Sequence, residues 1–261
     1  MVVQELTWAR RLKLGAAAGA AGGAMSSVLL WLLVEPAIRR AILVEEAVER
    51  AHGAEGTGHE HGEIVTRVQQ QIGGTIAVIV VGVLLGLVFC VIYARVSHRL
   101  PGSADLAKSL NLGALAFIVH GIVPGIAVPA NPPGVGNPET VHQRTLTYLA
   151  VLLLGCAFVR GVFALGKTMA DKNIPRELSF VATIGTVIAG TVILLALPHL
   201  DQKIASPMPA NLVWDFRTGS LAELAGMWAA IGTMHGFLIH RARTTLPPGP
   251  RSLASTAAVG T

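Results

Sequence analysis

The run Ile72–Ala94, IGGTIAVIVVGVLLGLVFCVIYA, holds twenty-three residues without a single charge. As an α-helix it reaches about 35 Å at ~1.5 Å per residue, enough to cross the ~30 Å hydrocarbon core of a bilayer. Working outward from it, five further stretches have the length and apolarity of spans: Leu12–Val34, Leu110–Val128, Leu146–Gly166, Leu178–Pro198 and Leu221–His240. Of the 261 residues, 52% are hydrophobic and 13% charged, whereas a soluble domain carries about 25% charge. The expected fold is all-α, a polytopic membrane helix bundle of about six transmembrane helices. Short amphipathic helices are expected in the outer loops. Residues 1–243 are expected to form a single transmembrane domain, and the Pro-, Ser- and Ala-rich tail 244–261 to be disordered.

Arg10, Arg11 and Lys13 precede the first apolar run in the manner of a signal peptide. The run is longer than a signal h-region and no clear cleavage site follows, so it reads as a retained helix. With the N-terminus cytoplasmic, twelve Lys and Arg fall on the inner side and seven on the outer. The positive-inside rule then places both termini in the cytoplasm of a multi-pass protein of the cell membrane. Eleven of the fifteen acids fall outside or at the outer boundary, so the outer face sums to −4 and the inner to +8. An acidic face attracts cations. The net charge of +5 flanks apolar runs instead of clustering, which argues for topology and against a nucleic-acid partner.

Catalytic signatures are absent from the sequence. There is no Gly-x-x-x-x-Gly-Lys phosphate loop, and no Ser/His/Asp or Cys/His arrangement stands out, so an enzyme is not expected. Cys90 and Cys156 lie inside apolar runs and make no disulfide framework. Small residues recur every fourth position at Gly15, Gly19 and Gly23, at Gly82 and Gly86, and at Gly232 and Gly236. That spacing lets helices approach closely in lipid.

Metal-ligating chemistry is richer. The first outer loop begins with an amphipathic helical segment, with Ile38, Ile42 and Leu43 on one side. It then contains HGAEGTGHEHGE, His52–Glu63. Imidazole and carboxylate suit divalent transition metals, and His52, His59 and His61 with the adjoining glutamates are candidates for weak, exchangeable capture. The alternative is a solvated loop. In the second outer loop, Asn137 and Pro138 mark a helix start. Glu139 and His142, three apart, would then share a face and present a carboxylate and an imidazole beside the oxygen of Asn131. The alternative is an interfacial helix cap with Arg144 at the headgroups. Each outer loop ends on an acid followed by an arginine: Glu63 and Arg67, Glu139 and Arg144, Asp215 and Arg217.

Three polar residues fall within the spans: His120, Arg160 and His235. Such residues are costly in lipid and mark pathways by default. Arg160 alternatively snorkels to the inner surface, His120 bonds a neighbouring helix, and His235 marks the inner boundary. Pro124 frees the His120 carbonyl from its helical bond, which offers an oxygen ligand or a kink. No carboxylate is expected mid-membrane.

Three blocks carry a family resemblance: EPAIRRAILVEEA (35–47), NPPGVGNPETVHQRTLTY (131–148) and MPANLVWDFRTGSL (208–221). They resemble the CbtA family of predicted cobalt transporter subunits over most of residues 10–240. Glu35, Glu45, Glu46, Asn131, Pro132, Pro133, Gly136, Pro138, Glu139, Thr140, Arg144 and Tyr148 match its positions. The resemblance implies a membrane protein tied to cobalamin metabolism, with cobalt as substrate and no permanent cofactor. It also implies a possible one-span, His-bearing CbtB-like partner. The family is usually described with five spans, against the six counted here.

The leading expectation is a membrane subunit for uptake of cobalt or another divalent ion, with acidic and His-bearing outer loops capturing it. Its main competitor is a non-transporting scaffold or metal-delivery partner for another permease. A haem-bearing electron-transfer subunit is the weakest reading, because His120 and His235 differ in depth and no second pair exists. Reporter fusions after residues 60, 137, 205 and 261 test the map: the first three are expected to report outside and the last inside. A cytoplasmic reporter at 137 or an external C-terminus contradicts six spans.

Overall fold

The computed structural model describes residues 6–51, 66–136, 138–196 and 208–245. The His52–Glu63 stretch, Asn137 and the tail from residue 246 lie outside the described residues. Every regular element among those described is helical. They are α1 (Trp8–Leu29), a π-helical turn (Leu30–Val34), α2 (Glu35–Ala51), α3 (Arg67–Val96) and α4 (Asp105–Phe117). A second π-helical turn (Ile118–Ile122), α5 (Val123–Ala127) and a 3-10 turn (Pro138–Thr140) follow. The chain then runs through α6 (Val141–Asp171), α7 (Arg176–Ala196) and α8 (Ala210–Thr244). The all-α membrane bundle expected from the sequence is the observed fold class.

Local chemistry places the helix ends. Thr66 opens α3 with a reciprocal capping box: its side chain accepts from the Gln69 amide, and Gln69 accepts from the Thr66 amide at 2.8 Å. Two orphan donors of the first turn are thereby satisfied. Asn173, at φ +54°, closes the α6 end, where the Ile174 amide donates to the Met169 carbonyl at 3.0 Å. Asn tolerates this left-handed position better than most residues.

Five helical segments are long and apolar enough to cross a membrane: Trp8–Val48, Val68–Val96, Asp105–Ala127, Val141–Asp171 and Arg176–Ala196. The sixth expected span lies in α8, which is 35 residues long but is not among those five. Its burial suggests why. Met227, Trp228, Ile231, His235, Ile239 and Ala242 form one buried stripe, and Ile231 is fully enclosed. A helix that packs against protein needs less hydropathy than one facing lipid. At the opposite extreme, α7 buries no residue, and its apolar side chains form a surface suited to lipid.

One expectation changes in detail. The segment after the first span is not a separate surface helix: α1, the π turn and α2 follow one another without a break. The buried positions of α2 are Glu35, Ala37 and Ala41, while Leu43 is exposed. Small residues line its packed side, so the larger Ile38, Ile42 and Leu43 do not define it.

The chain divides into two compact units. Of the described residues, the first comprises 6–31, 66–115 and 223–245, and the second 32–51, 116–136, 138–196 and 208–222. In the first, glycines bring backbones together. A Cβ on Gly82 would stand 2.7 Å from the Gly19 carbonyl oxygen and the Gly23 Cα, and one on Gly15 would stand 2.7 Å from the Gly86 carbonyl oxygen. No side chain fits at such distances. The same unit joins α4 to α8 through Gly113 against the Trp228 carbonyl and Gly236 against Leu106. Every expected small-residue series is used. Gly82→Leu is accordingly expected to abolish accumulation of folded protein. Gly73→Leu, where a Cβ meets nothing within 4 Å, is expected to accumulate normally. Immunoblots of membrane fractions make the comparison, and equal levels of the two contradict the packing.

Candidate functional site

In the second unit two family-motif positions, Glu45 and Arg144, lie against the loop Asn131–Gly136. Gly134 and Gly136 have φ of +74° and +108°, conformations that other residues reach only under strain. Arg217 grips the start of the loop. Its Nη2 donates to the Asn131 Oδ1 at 2.8 Å and its Nε to the Ala130 carbonyl at 3.1 Å. Burial, and then the nearby charge of Arg144, lower the Arg217 pKa. The second and third loop-ending arginines therefore stand close together.

Gly134 faces the Glu45 carboxyl, and Gly136 faces the Arg144 Nη1. Larger residues would push against both. Nearby, Arg40 and Asp215 pair at 3.1 Å, and Glu35, buried, pairs with Arg39 at 3.1 Å. Glu46 pairs with Arg50 at 3.6 Å along α2. Pro132 is buried and Pro133 exposed. Arg217, with Glu45 and Arg144 against the two glycines, fixes the shape of a loop that proline and glycine alone leave underdetermined.

The expected ion ligands fare differently. The Asn131 oxygen, expected to face an ion, is engaged by Arg217. Pro138 and Glu139 lie in the 3-10 turn and His142 on the first turn of α6; Glu139 and His142 are both exposed. They do not share one regular α-helix from Pro138 onward. Among the described residues, no three His, Cys, Asp or Glu come together as a metal-holding group. His52, His59 and His61 lie outside those residues.

His120 sits on the second π-helical turn. Its carbonyl, freed by Pro124, accepts a hydrogen bond from the Tyr148 hydroxyl at 3.1 Å, and the two rings meet edge-on at 6.3 Å. The freed oxygen is thus used by a neighbouring helix and is not left open for an ion. Arg160 is exposed, which fits a side chain that snorkels rather than one lining an interior path.

In the first unit, sequence reasoning missed a carboxylate. Glu223, assigned to the outer boundary, lies well inside α8 and accepts a hydrogen bond from the Ser26 hydroxyl of α1 at 2.7 Å. Ser26 is almost fully buried. The signal was present in α8, where no proline interrupts the sequence from Ala210 to Thr244. His235, also in α8, is 1% exposed. Its Nδ1 shares a hydrogen bond of 3.2 Å with the Ser109 hydroxyl, and its Nε2 has no partner among the described residues. Near the end of the same unit, Asp105 accepts from Tyr93 at 3.0 Å and from Arg243 at 2.6 Å.

Five helical segments long and apolar enough to cross a bilayer, among the described residues, mark a multi-pass membrane protein. The model of the CbtA family, described as a probable cobalt transporter subunit, matches residues 9–240, and the chain belongs to that family. No curated protein and no solved structure matches it.

Tyr148→Phe tests the His120 arrangement. It removes the hydroxyl that donates to the part-buried His120 carbonyl and is expected to lower stability by about 1 kcal/mol. Denaturation of the detergent-solubilised protein reads this, and an unchanged midpoint contradicts the hydrogen bond's role.

Proposed function

We propose that the chain is the membrane subunit of a divalent-metal uptake system that carries cobalt into the cytoplasm for cobalamin metabolism. It resides in the cell membrane with both termini cytoplasmic. The outer segments, acidic and rich in histidine at His52, His59 and His61, gather the ion, with Glu139 and His142 on the same face. The ion then passes along the helices of the first unit. A small one-span CbtB-like partner with a histidine-bearing end feeds the outer segments.

The observation that carries this reading is the Glu223 carboxylate, set inside an otherwise apolar helix contact and bonded to Ser26. An ionisable group at such a place is expensive in lipid and is kept where an ion or proton must pass. Cobalt as the cargo rests on family membership. Membrane potential suffices as a driving force, since each charge gains ~2.3 kcal/mol per 100 mV.

A second reading, a scaffold that hands metal to another permease, draws on the clamped loop: Arg217 holds Asn131, while Glu35 pairs with Arg39 and Glu46 with Arg50. The two readings part at Glu223. Glu223→Gln retains size and the Ser26 contact but removes the charge. Transport predicts that cobalt uptake by cells falls to the level of cells lacking the chain while the variant still inserts. Unchanged uptake supports the scaffold. Replacing His52, His59 and His61 by alanine is expected to raise the half-saturating cobalt concentration and leave the maximal rate nearly intact. Loss of the maximal rate instead places that loop in the path itself.

A further inference from the structure

Two arginines of the second unit stand together without an acid between them. The Arg144 charge is close enough to add to the effect of burial in lowering the Arg217 pKa. Neither arginine forms an ion pair among the described residues. The acids of the surrounding elements sit elsewhere: Asp215 pairs with Arg40 at 3.1 Å, Glu35 pairs with Arg39, Glu45 lies against Gly134, and Glu139 is exposed. The Arg144 Nε is moreover buried with no acceptor. A guanidinium drawn partly out of water and set beside a second one is costly unless an anion offsets it.

Asn131 shows where that anion fits. An arginine only donates, so the Asn131 Oδ1 faces Arg217, accepting from it at 2.8 Å, and the donor end of the amide lies on the other side. There stands Gly136, with φ +108°. A Cβ on Gly136 would be 3.2 Å from the Arg144 Nη1 and 3.7 Å from the Asn131 Nδ2, with no other atom within 4 Å outside its chain neighbours. Two N–H donors thus flank the open side of Gly136, where another residue would project its side chain. Donors without a carboxylate suit an oxyanion and repel a cation. Val141 and Leu146, on either side of Arg144 in sequence, are exposed, as is Trp214 of α8. Exposed apolar and tryptophan side chains at the end of a span suit the level of lipid headgroups, where phosphate is the abundant oxyanion.

We propose that Arg144 and the Asn131 amide, backed by Arg217, bind a phosphate oxyanion over the open side of Gly136. The guanidinium brings charge and N–H donors at fixed angles, which match phosphate oxygens. A phospholipid headgroup and free phosphate offer the same group. Its negative charge beside the two arginines holds them together, and with them the loop that Arg217 grips. No metal takes part, so the site stands or falls independently of cobalt uptake.

The test uses the full-length protein, delipidated in detergent without phosphate buffer, and follows its unfolding midpoint. Inorganic phosphate is added against chloride at matched ionic strength. Separately, dioleoylphosphatidylglycerol is added against dioleoylglycerol, which has the same chains and no phosphate. A saturable rise of the midpoint is expected. A rise with the phospholipid alone assigns the site to a headgroup, and a rise with phosphate alone assigns it to the free ion. Arg144→Gln is expected to weaken the response about 10–100-fold, as loss of hydrogen bonds to a charged group does. Without added anion its midpoint is expected to be no lower than the parent's, because one of two like charges is gone. Arg160→Gln, which lies outside the site on α6, is expected to respond as the parent does. If Arg144→Gln fails to insert, Arg144→Lys, which keeps the charge but loses the planar fork, is expected to weaken the response in the same direction. No rise with either probe in the folded parent overturns the site. So does a response lost equally in Arg160→Gln, or one left intact by the Arg144 variant, which would mark a structural arginine.

Discussion

The contact on which the first unit depends is the meeting of α1 and α3 backbone to backbone at Gly15, Gly19, Gly23, Gly82 and Gly86. Lipid tails are as apolar as leucine, so helices in a bilayer gain little from burying hydrophobic side chains against one another. Close packing and hydrogen bonds must do that work. Glycine permits the approach, and polar side chains can then bridge helices without long reaches. Ser26 meets Glu223 and Ser109 meets His235 within such a tightly drawn set of helices. Ser26 and Gly23 are neighbours on α1, so the position of the carboxylate partner is tied to the position of the glycine seam.

The second unit follows a different logic. Its polar residues lie in and around a Pro- and Gly-rich loop and neutralise or hold one another: Arg40 with Asp215, Arg39 with Glu35, Arg217 with Asn131. Pro124 and Tyr148 form a complementary pair farther along, since the carbonyl that one liberates is the carbonyl that the other satisfies. Several residues that mark the family therefore act on the shape of this unit, whereas Glu223 and the buried His235 belong to the first.

Much of the fold was legible in the sequence because lipid imposes one strong rule, that a span is a long uninterrupted apolar helix. Ile72–Ala94 obeys it without exception. The glycine series was legible as well, since fourfold spacing has few other uses. The site was harder to read. Glu223 looked like a boundary residue because hydropathy falls there, yet α8 continues through it and the polar residue is spent on Ser26. The Asn131 oxygen looked available because its captor, Arg217, is 86 residues away in sequence. His235 looked like an inner boundary marker, and nothing local announced that Ser109 and two aromatic rings would hold it. Each miss is a long-range contact, which single-sequence periodicity does not encode.

The claim that matters most is that the chain itself moves cobalt. Purified protein in sealed liposomes, with a potassium-diffusion potential negative inside, supplies the direct measurement. The account predicts accumulation of radioactive cobalt that rises with the potential. For a divalent ion at 100 mV its equilibrium limit is about three orders of magnitude. Folded, correctly inserted protein that takes up no more cobalt than empty liposomes at every potential would contradict it.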